Sequence, residues 1–357
     1  VLMGALTTCL IQSSSATTVM TVGFVNAGLL TLRQALCVVL GANVGTTFTA
    51  WLVSAFALFK ITNYALPTVG IGLLINLLGK TQRRKSLGEV MLGFGILFLG
   101  IHFMKEGFAP LQNNQEVNDA LIWLGGNPLL AVLAGAVITM LLQSSSASIA
   151  IVQMLAFQGA FGTDWDLALR VAIPFILGDN IGTTITAQIA ALRASRNAKR
   201  AAMGHTLFNT IGVVYMLPLV WTGWFGDAVE WITPFKLSQG TIMVHIAVSH
   251  SVFNIFNTIV FLPIIRGLEK IVMKILPVTS EELAYKPIAL EKNLLNTPVI
   301  ALDQTKHEIL RMAETAKQAV QQSINGLVND DRKELASVRQ TEDFIAVSYT
   351  HLTLPTN

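Results

Sequence analysis

The sequence predicts an all-α, polytopic membrane protein made of two inverted-topology repeats that contain broken helices and re-entrant hairpins. Three observations support this class: the low charge of the first 277 residues, short polar words that occur twice inside apolar sequence, and the positions of the basic loops. A partial helical segment of different composition follows at the carboxyl end.

Charge is distributed unevenly along the chain. Of the 357 residues, 52% are apolar and 13% are charged, whereas soluble domains carry about 25% charged residues. Residues 1–277 hold 26 charged side chains, and residues 278–343 hold 19. We therefore expect a lipid-embedded domain that ends near Pro277 and a soluble segment after it. The net charge of +3 does not indicate a nucleic-acid partner, and the sequence does not indicate an oligomeric state.

Two pairs of matched polar words interrupt the apolar sequence. Gln12–Ala16 reads QSSSA and recurs as Gln143–Ala147, 131 residues later. Each copy is followed by a second word, GANVGTT at residues 41–47 and GDNIGTT at residues 178–184. Because hydrocarbon cannot solvate hydroxyls and amides, these groups must bind one another or a ligand.

The apolar stretches fall into two classes when they are compared with a span of about 20 residues. Four stretches are near this length and are predicted to cross the membrane: Ala65–Gly79, Leu87–Phe108, Ala201–Val220 and Thr241–Ile265. The stretches around the polar words are short and contain Gly, Ser and Asn. Matching short, interrupted segments in two halves are typical of discontinuous helices and hairpins in transporters.

Basic residues in short loops predict the orientation of the segments, because cytoplasmic loops are rich in Lys and Arg. With every basic cluster inside, the stretch after residues 178–184 ends inside at Arg193. The stretch after residues 41–47 ends near Lys60, one helix before an inside cluster, and therefore outside. The two repeats are thus predicted to be inverted in a multi-pass protein of the inner cell membrane, with a cytoplasmic carboxyl-terminal segment. The clusters are Lys80, Arg83, Arg84 and Lys85; Arg193, Arg196, Lys199 and Arg200; and Arg266, Lys270 and Lys274.

These boundaries predict four regions. Repeat one occupies residues 1–80 and is expected to lack about 40–50 residues at its amino end, since repeat two has a preceding helix that repeat one does not. Repeat two and the closing helices occupy residues 81–277. Residues 278–346 form a truncated helical segment with an amphipathic helix from about Val299, and residues 347–357 resemble non-native sequence.

The serine words are predicted to bind an anion. Ser is a good N-cap, and a helix start presents free backbone N–H groups. Two such starts from inverted halves would meet near the bilayer midplane around a tetrahedral oxyanion. The alternative is close helix packing through small residues. The candidate ligands are Ser13, Ser14, Ser15, Ser144, Ser145 and Ser146.

The second words are predicted to bind sodium, a hard cation that takes oxygen ligands, including the carbonyls of unwound helices in transporters. The alternative is a helix break capped by Asn and Thr. The glycines are expected to serve backbone shape. The candidate ligands are Asn43, Asn180, Thr46, Thr47, Thr183 and Thr184.

Three charged residues stand inside or beside these words. Asp179 replaces Ala42 of the first repeat, and an intramembrane acid is costly and usually functional. It is predicted to ligate a cation or hold a proton, or else to cap a helix or pair with an arginine. Arg33 and Arg170 each lie eight residues before a second word, on opposite faces, and either snorkel to the interface or gate the entry of anions.

A further pair of words, His205-x-x-x-Asn209 and His250-x-x-x-Asn254, recurs 45 residues apart. The spacing of one helical turn predicts hydrogen bonds between helices, and neither word has the second ligand set that a metal needs. No nucleophile elbow, phosphate-binding Lys loop or HExxH motif occurs. The sequence therefore does not predict an enzyme.

Over residues 1–275 the doubled words resemble those of the type II sodium-dependent phosphate cotransporter family, in its bacterial branch. The resemblance implies inorganic phosphate as substrate, sodium as the co-transported ion, and serine hydroxyls of both words at the phosphate site. It assigns Gln12 and Gln143 as orienting or sodium-binding amides. Residues 292–345 resemble the beginning of a PhoU-like domain.

The resemblance and the residues together predict one mechanism. Sodium binds first, phosphate then binds between the two QSSS tips, and rocking of the repeats exposes the site to each side in turn. Two alternatives remain open at this point. The chain either carries another oxyanion, such as sulfate or arsenate, or acts as a membrane phosphate sensor that signals through its helical tail.

Overall fold

A computed structural model describes residues 1–59, 64–110, 114–277 and 298–332, with seven further residues between 334 and 345. All regular structure in these residues is helical, which confirms the predicted all-α class. The predicted non-native tail, residues 347–357, lies outside the described residues. The helices are α1 (Leu2–Ile11), α2 (Ser14–Asn26), α3 (Leu32–Phe59), α4 (Ala65–Leu78), α5 (Gln82–Phe108), α6 (Gln115–Gly125), α7 (Pro128–Leu142), α8 (Ser145–Phe157), α9 (Trp165–Gly182), α10 (Thr184–Ala191), α11 (Arg196–Trp221), α12 (Trp224–Ile232), α13 (Ile242–Phe261), α14 (Ile265–Ile275) and α15 (Pro298–Val328).

Four of the described helices are long and apolar enough to cross a membrane: α3 over Leu32–Ala55, α5, α11 and α13. A fifth span results if α6 and α7, which meet at 113°, count as one bent element. Helix α4 has 14 residues, fewer than the predicted span. The helices agree with a multi-pass membrane protein, because apolar side chains such as Leu66 and Leu74 are exposed.

Helix α3 differs from the prediction. Its sequence indicated short segments broken at residues 41–47, but the helix runs without interruption through them. Gly and Asn each weaken a helix by up to about 1 kcal/mol relative to Ala, and packing overrides such preferences. The equivalent stretch in the second half is interrupted only at Thr183, between α9 and α10.

The glycines of the second words lie in close contact with a neighbouring helix. A methyl group built on Gly45 would lie 2.5 Å from the carbonyl oxygen of Ala5 and 2.7 Å from Cβ of Thr8. One built on Gly182 would lie 2.7 Å from Cβ of Thr139. These glycines therefore let α1 approach α3, and α7 approach α9, which is a packing role and not the predicted role in backbone shape.

The molecule contains two equivalent units, α1–α3 and α7–α10, and α9 with α10 in the second unit corresponds to the single helix α3 in the first. In each, the first helix packs along the third, and the second helix contacts both. Helix α2 also contacts α10, and α8 contacts α3, so each unit packs into the other. A buried cluster that includes Phe175, Phe253 and Val229 joins the second unit to α13 and α12.

The closing helices repeat the same arrangement around the two units. Helix α11 packs on α2 and α3, and α13 packs on α8 and α9. A short helix follows each: α14, after α13, packs on α3 and α11, whereas α12, after α11, packs on α9 and α13.

Helix α15 confirms the predicted helix in the carboxyl-terminal segment. Leu302 and Leu327 of its apolar stripe are exposed, whereas the polar Gln304 and Glu308 are buried. An ion pair joins Glu308 to Arg311. The similarity of this region to a PhoU-like domain stays a prediction.

Candidate functional site

Both QSSS words form the same helix-breaking turn. Gln12 ends α1 and Gln143 ends α7, and each has a left-handed backbone, with φ of 58° and 52°. The next residue is in each case an extended N-cap: Ser13 Oγ accepts from Ala16 N at 3.1 Å, and Ser144 Oγ accepts from the backbone N–H of the residue three later at 3.2 Å. The predicted start of a helix within each word is confirmed.

The two tips meet at Ser14 and Ser145. Their hydroxyl oxygens are 3.4 Å apart, and both residues are buried. Each is the first residue of its helix, so its backbone N–H has no partner within the helix, and the same holds for Ser15 and Ser146. Two helix starts thus bring hydroxyl and amide donors together in one buried place.

On one side of this junction a threonine joins the two words. Thr49 Oγ1 donates to Gln12 Oε1 at 2.8 Å and lies 3.3 Å from Ser146 Oγ. Because a hydroxyl has a single proton, Ser146 is then the donor to Thr49. The side-chain amide of Gln12 also donates to the carbonyl oxygen of Cys9 at 2.5 Å. We call Gln12, Thr49 and Ser146 the closed tip network.

The repeat-related residues do not form this network. Gln143 is exposed, and neither its side chain nor that of Ser15 makes a hydrogen bond within the described part of the chain. Thr186, the counterpart of Thr49, donates instead to the carbonyl oxygen of Thr183 at 2.9 Å. The two halves of the junction therefore contain the same residue types but make different hydrogen bonds.

Asp179 of α9 contacts the hairpin that α7 and α8 form. Its Oδ1 accepts from Thr139 Oγ1 at 2.5 Å, and Thr139 in turn lies 2.9 Å from Ser148 Oγ. The other oxygen, Oδ2, is buried without a hydrogen-bond partner. In the first repeat Ala42 replaces the acid; there Thr8 donates to Thr17 Oγ1 at 3.0 Å, and Thr17 donates to the carbonyl oxygen of Ser13 at 3.1 Å. No arginine pairs with Asp179 in the described residues, so the arginine-pairing alternative is wrong.

The four predicted threonine ligands are all buried, and each donates its hydroxyl proton to the backbone carbonyl three or four residues earlier at 2.8–3.0 Å. Their oxygen lone pairs still face outward from that bond and stay available as acceptors. These residues are Thr46, Thr47, Thr183 and Thr184.

The two predicted asparagine ligands differ. Asn43 donates to Asn209 Oδ1 at 2.8 Å, and its own Oδ1 lies 3.4 Å from His205 Nε2. Asn180 makes one side-chain hydrogen bond, to the carbonyl oxygen of Ile176 at 2.9 Å. Protein partners therefore occupy Asn43 at both ends, whereas the Asn180 carbonyl is not held by a hydrogen bond within the described residues.

Arg33 and Arg170 stand apart from these groups. Arg33 binds Glu269 of α14, with nitrogen–oxygen distances of 2.7 and 2.9 Å. Arg170 binds Asp166 at 2.9 Å and Asp227 of α12 at 2.6 Å. Neither arginine contacts a predicted ligand, and the choice between snorkelling to the interface and gating the entry of anions stays a prediction.

A fourth ionisable group belongs to the Arg170 cluster. Burial raises the pKa of Glu230, and the hydrogen bond and charge of the neighbouring Asp166 raise this pKa further. The positive charge of Arg170 opposes this effect. The cluster therefore holds three acids around one base at this end of α9.

Sequence reasoning missed the hydroxyls that support the tips. Thr8 and Thr139 each stand four residues before a glutamine of a QSSS word, and Thr17 and Ser148 stand five residues after it. Extending the 131-residue register beyond the words would have found them. Thr49 and its counterpart follow the second words at equal spacing and were open to the same reasoning.

Comparison with known proteins gives a consistent result. The model of the Na+/Pi-cotransporter family matches the chain twice, over residues 1–106 and 103–219. The chain is 32% identical to the uncharacterized protein YqeW of Bacillus subtilis over 272 residues, which cover 76% of this chain and 82% of that protein. No solved structure matches significantly.

Two relatives carry functional names. The chain is 27% identical to the putative inorganic phosphate export protein YjbB of Escherichia coli over 348 residues, or 97% of the chain and 61% of that protein. It is 39% identical to human sodium-dependent phosphate transport protein 2B over 99 residues, or 26% of this chain and 14% of that protein. The chain therefore spans about three fifths of the length of YjbB.

Proposed function

The chain belongs to the Na+/Pi-cotransporter family, and from this premise we propose that it carries inorganic phosphate across the membrane together with sodium. The resemblance inferred from the paired words is confirmed at the level of the family. Its named relatives are transporters, as expected of a chain without an enzyme motif. The observation that carries the proposal is the meeting of the two QSSS tips at Ser14 and Ser145.

Phosphate binds between the tips in this proposal. Helix starts attract anions because their first amides are unpaired and the helix dipole is positive there. The first residues of α2 and α8 add hydroxyl donors to these amides, and the N-cap hydroxyls of Ser13 and Ser144 can still donate a proton. The donors are neutral, so they select by hydrogen-bond geometry and not by net charge. The proposed ligands are Ser13, Ser14, Ser15, Ser144, Ser145 and Ser146.

Cations must accompany the anion. A doubly charged phosphate is poorly stabilised in a medium of low dielectric constant by neutral donors alone. Asp179 supplies a carboxylate oxygen that no protein group binds, and Asn180 a carbonyl oxygen without a hydrogen bond. We place the stronger sodium site in repeat two, because the corresponding groups of repeat one are Ala42 and an occupied Asn43. The other proposed sodium ligands are Gln12, Gln143, Thr46, Thr47, Thr183 and Thr184.

Alternating access of two inverted repeats completes the proposal. Arg33 pairs with Glu269, beside the basic residues that close the membrane domain, whereas Arg170 pairs with Asp227 in the acidic cluster of α12. This difference supports opposite orientations. Repeat one then occupies residues 1–80, repeat two and the closing helices occupy residues 81–277, and the segment over residues 278–346 lies in the cytoplasm beside the inner cell membrane.

The similarity to YjbB, a putative inorganic phosphate export protein, favours a second candidate, phosphate export. A symporter is reversible, and its direction follows the combined gradients of its substrates. Uptake of labelled phosphate into vesicles that contain the protein therefore tests the coupling to sodium for either direction. Uptake driven by an inward sodium gradient supports the proposal, uptake indifferent to sodium contradicts it, and binding without uptake indicates a sensor. Competition by sulfate or arsenate identifies the preferred oxyanion.

A further inference from the structure

The His–Asn word on α11 forms a closed buried network with α3. Asn43 donates to Asn209 Oδ1 at 2.8 Å, and His205 Nε2 lies 3.4 Å from Asn43 Oδ1. Asn209 also donates to the carbonyl oxygen of His205 at 3.1 Å. All three side chains are buried. Each of the three side chains thus bonds to another member of this first network, and the one buried polar atom among them left without a partner in the described part of the chain is His205 Nδ1.

Helix α13 carries the equivalent word in the equivalent place. Each of these helices contacts both units: α11 packs on α3 and also on α9 and α10, and α13 packs on α9 and also on α3. Phe208 and Phe253 stand at the same point of the two words, and both are fully buried. In the correspondence of the two repeats, His250 and Asn254 match His205 and Asn209, and Asn180 matches Asn43.

This second network is open. Asn254 donates to the carbonyl oxygen of His250 at 3.0 Å, as in the first network. Its Oδ1 and both ring nitrogens of His250, however, have no hydrogen-bond partner, although both residues are completely buried. Asn180 donates instead to the carbonyl oxygen of Ile176. Buried polar groups without a hydrogen-bond partner lower the stability of a protein and are rare in native structures.

The junction of the tips has the same asymmetry. The closed tip network holds Gln12 through Thr49, while Gln143 is exposed and Thr186 donates to its own helix. Two separate sets of repeat-related groups are therefore closed around repeat one and open around repeat two. Each open set contains the donors and acceptors that its closed counterpart uses.

We propose that His250 and Asn254 are positioning residues that close around Asn180 in the opposite access state, when His205 and Asn209 release Asn43. The inference rests on the alternating access of the proposed function. When one network closes, the other opens. The free-energy cost of the unpaired polar groups therefore moves from one repeat to the other, and the two states stay close in free energy. The orientation of the Asn180 carbonyl, and with it the repeat-two cation site, then changes with the access state.

Disulfide cross-linking tests this exchange directly. In a background with Cys9→Ala and Cys37→Ala, one variant carries Asn43→Cys with Asn209→Cys, and the other carries Asn180→Cys with Asn254→Cys. Both are oxidised with copper phenanthroline in membranes, with and without sodium and phosphate. We expect both pairs to cross-link and their yields to change at least about twofold in opposite directions between the two conditions. A disulfide in the Asn43→Cys, Asn209→Cys variant under every condition would overturn the proposal if the Asn180→Cys, Asn254→Cys variant never forms one.

A second set of variants tests the exchange even if the variants with cysteine pairs fail to fold. Gln143→Cys, in the same background, reports the exposure of the second tip to a maleimide. Asn209→Ala is expected to lower this labelling at least about twofold, because it weakens the first network, and Asn254→Ala to raise it. Changes in the same direction, or none, contradict the exchange. The labelling readout needs neither sodium nor phosphate, so opposite changes in labelling without sodium-dependent uptake would contradict only the proposed function.

Discussion

The hydroxyl oxygens of Ser14 and Ser145 lie 3.4 Å apart, although 131 residues separate them in the chain. Each residue begins a helix immediately after a left-handed glutamine and an N-cap serine. The contact converts two separate helix starts into one buried, donor-rich place. It also makes the two tips interdependent, because displacing one removes half of the donors.

Removing either hydroxyl should abolish transport. Ser14→Ala and Ser145→Ala are each expected to lower phosphate uptake at least about 100-fold, since a lost hydrogen bond to a charged ligand costs about 1.5–3 kcal/mol and the tip geometry depends on both residues. Thr21→Val is the matched control in α2, because the Thr21 hydroxyl is buried but bonds only to the carbonyl oxygen of Thr17. Wild-type uptake by both serine variants would move the site elsewhere.

Asp179→Asn should weaken sodium binding and leave phosphate binding at saturating sodium nearly unchanged. Replacing the free carboxylate oxygen by an amide removes one negative charge from the proposed cation site. We expect the sodium concentration for half-maximal uptake to rise at least about tenfold, which corresponds to about 1.4 kcal/mol. Asp227→Asn, at the exposed Arg170 pair, is the control. An unchanged sodium requirement in Asp179→Asn would assign the acid a structural role.

Close helix packing predicts opposite effects at two glycines. Gly182→Ala forces a methyl group against α7 and is expected to destabilise the protein by about 1–3 kcal/mol. Gly23, within α2, has no atom near the position of an added methyl group. Gly23→Ala should therefore stabilise the helix by about 0.4–1 kcal/mol. Thermal unfolding in detergent measures both shifts, and equal melting temperatures for the two variants would refute the packing argument.

The acidic cluster at Arg170 predicts a dependence of stability on pH. Because the pKa of Glu230 is raised, the folded state binds its proton more tightly than the unfolded state does. Stability from this group is present below the ordinary pKa of a glutamate and is lost as the pH rises through the raised value. Glu230→Gln should flatten the loss of melting temperature with rising pH above about 4.3. A steeper loss in the variant would show the opposite sign of coupling.

The QSSS tips were predictable because several hydroxyls and an amide inside apolar sequence have few physical solutions, and Ser at a helix start is one of them. The unbroken course of α3 was not, because Gly41, Asn43 and Gly45 weaken a helix in isolation and only the neighbouring α1 shows why they are there. The first words are 131 residues apart and the second words 137. Because these separations differ, matching residues outside the words were not aligned between the repeats. The unequal engagement of Asn43 and Asn180 lies in side-chain geometry that identical residue types do not encode.

In the proposed function, phosphate moves with sodium through the junction of the two tips. Uptake of labelled phosphate into vesicles that contain the protein, with and without an inward sodium gradient and with Ser145→Ala in parallel, tests it most directly. We predict rapid uptake only with the sodium gradient, and none in the variant. Equal uptake after potassium replaces sodium, or sodium-driven uptake that survives the loss of the Ser145 hydroxyl, would contradict the account.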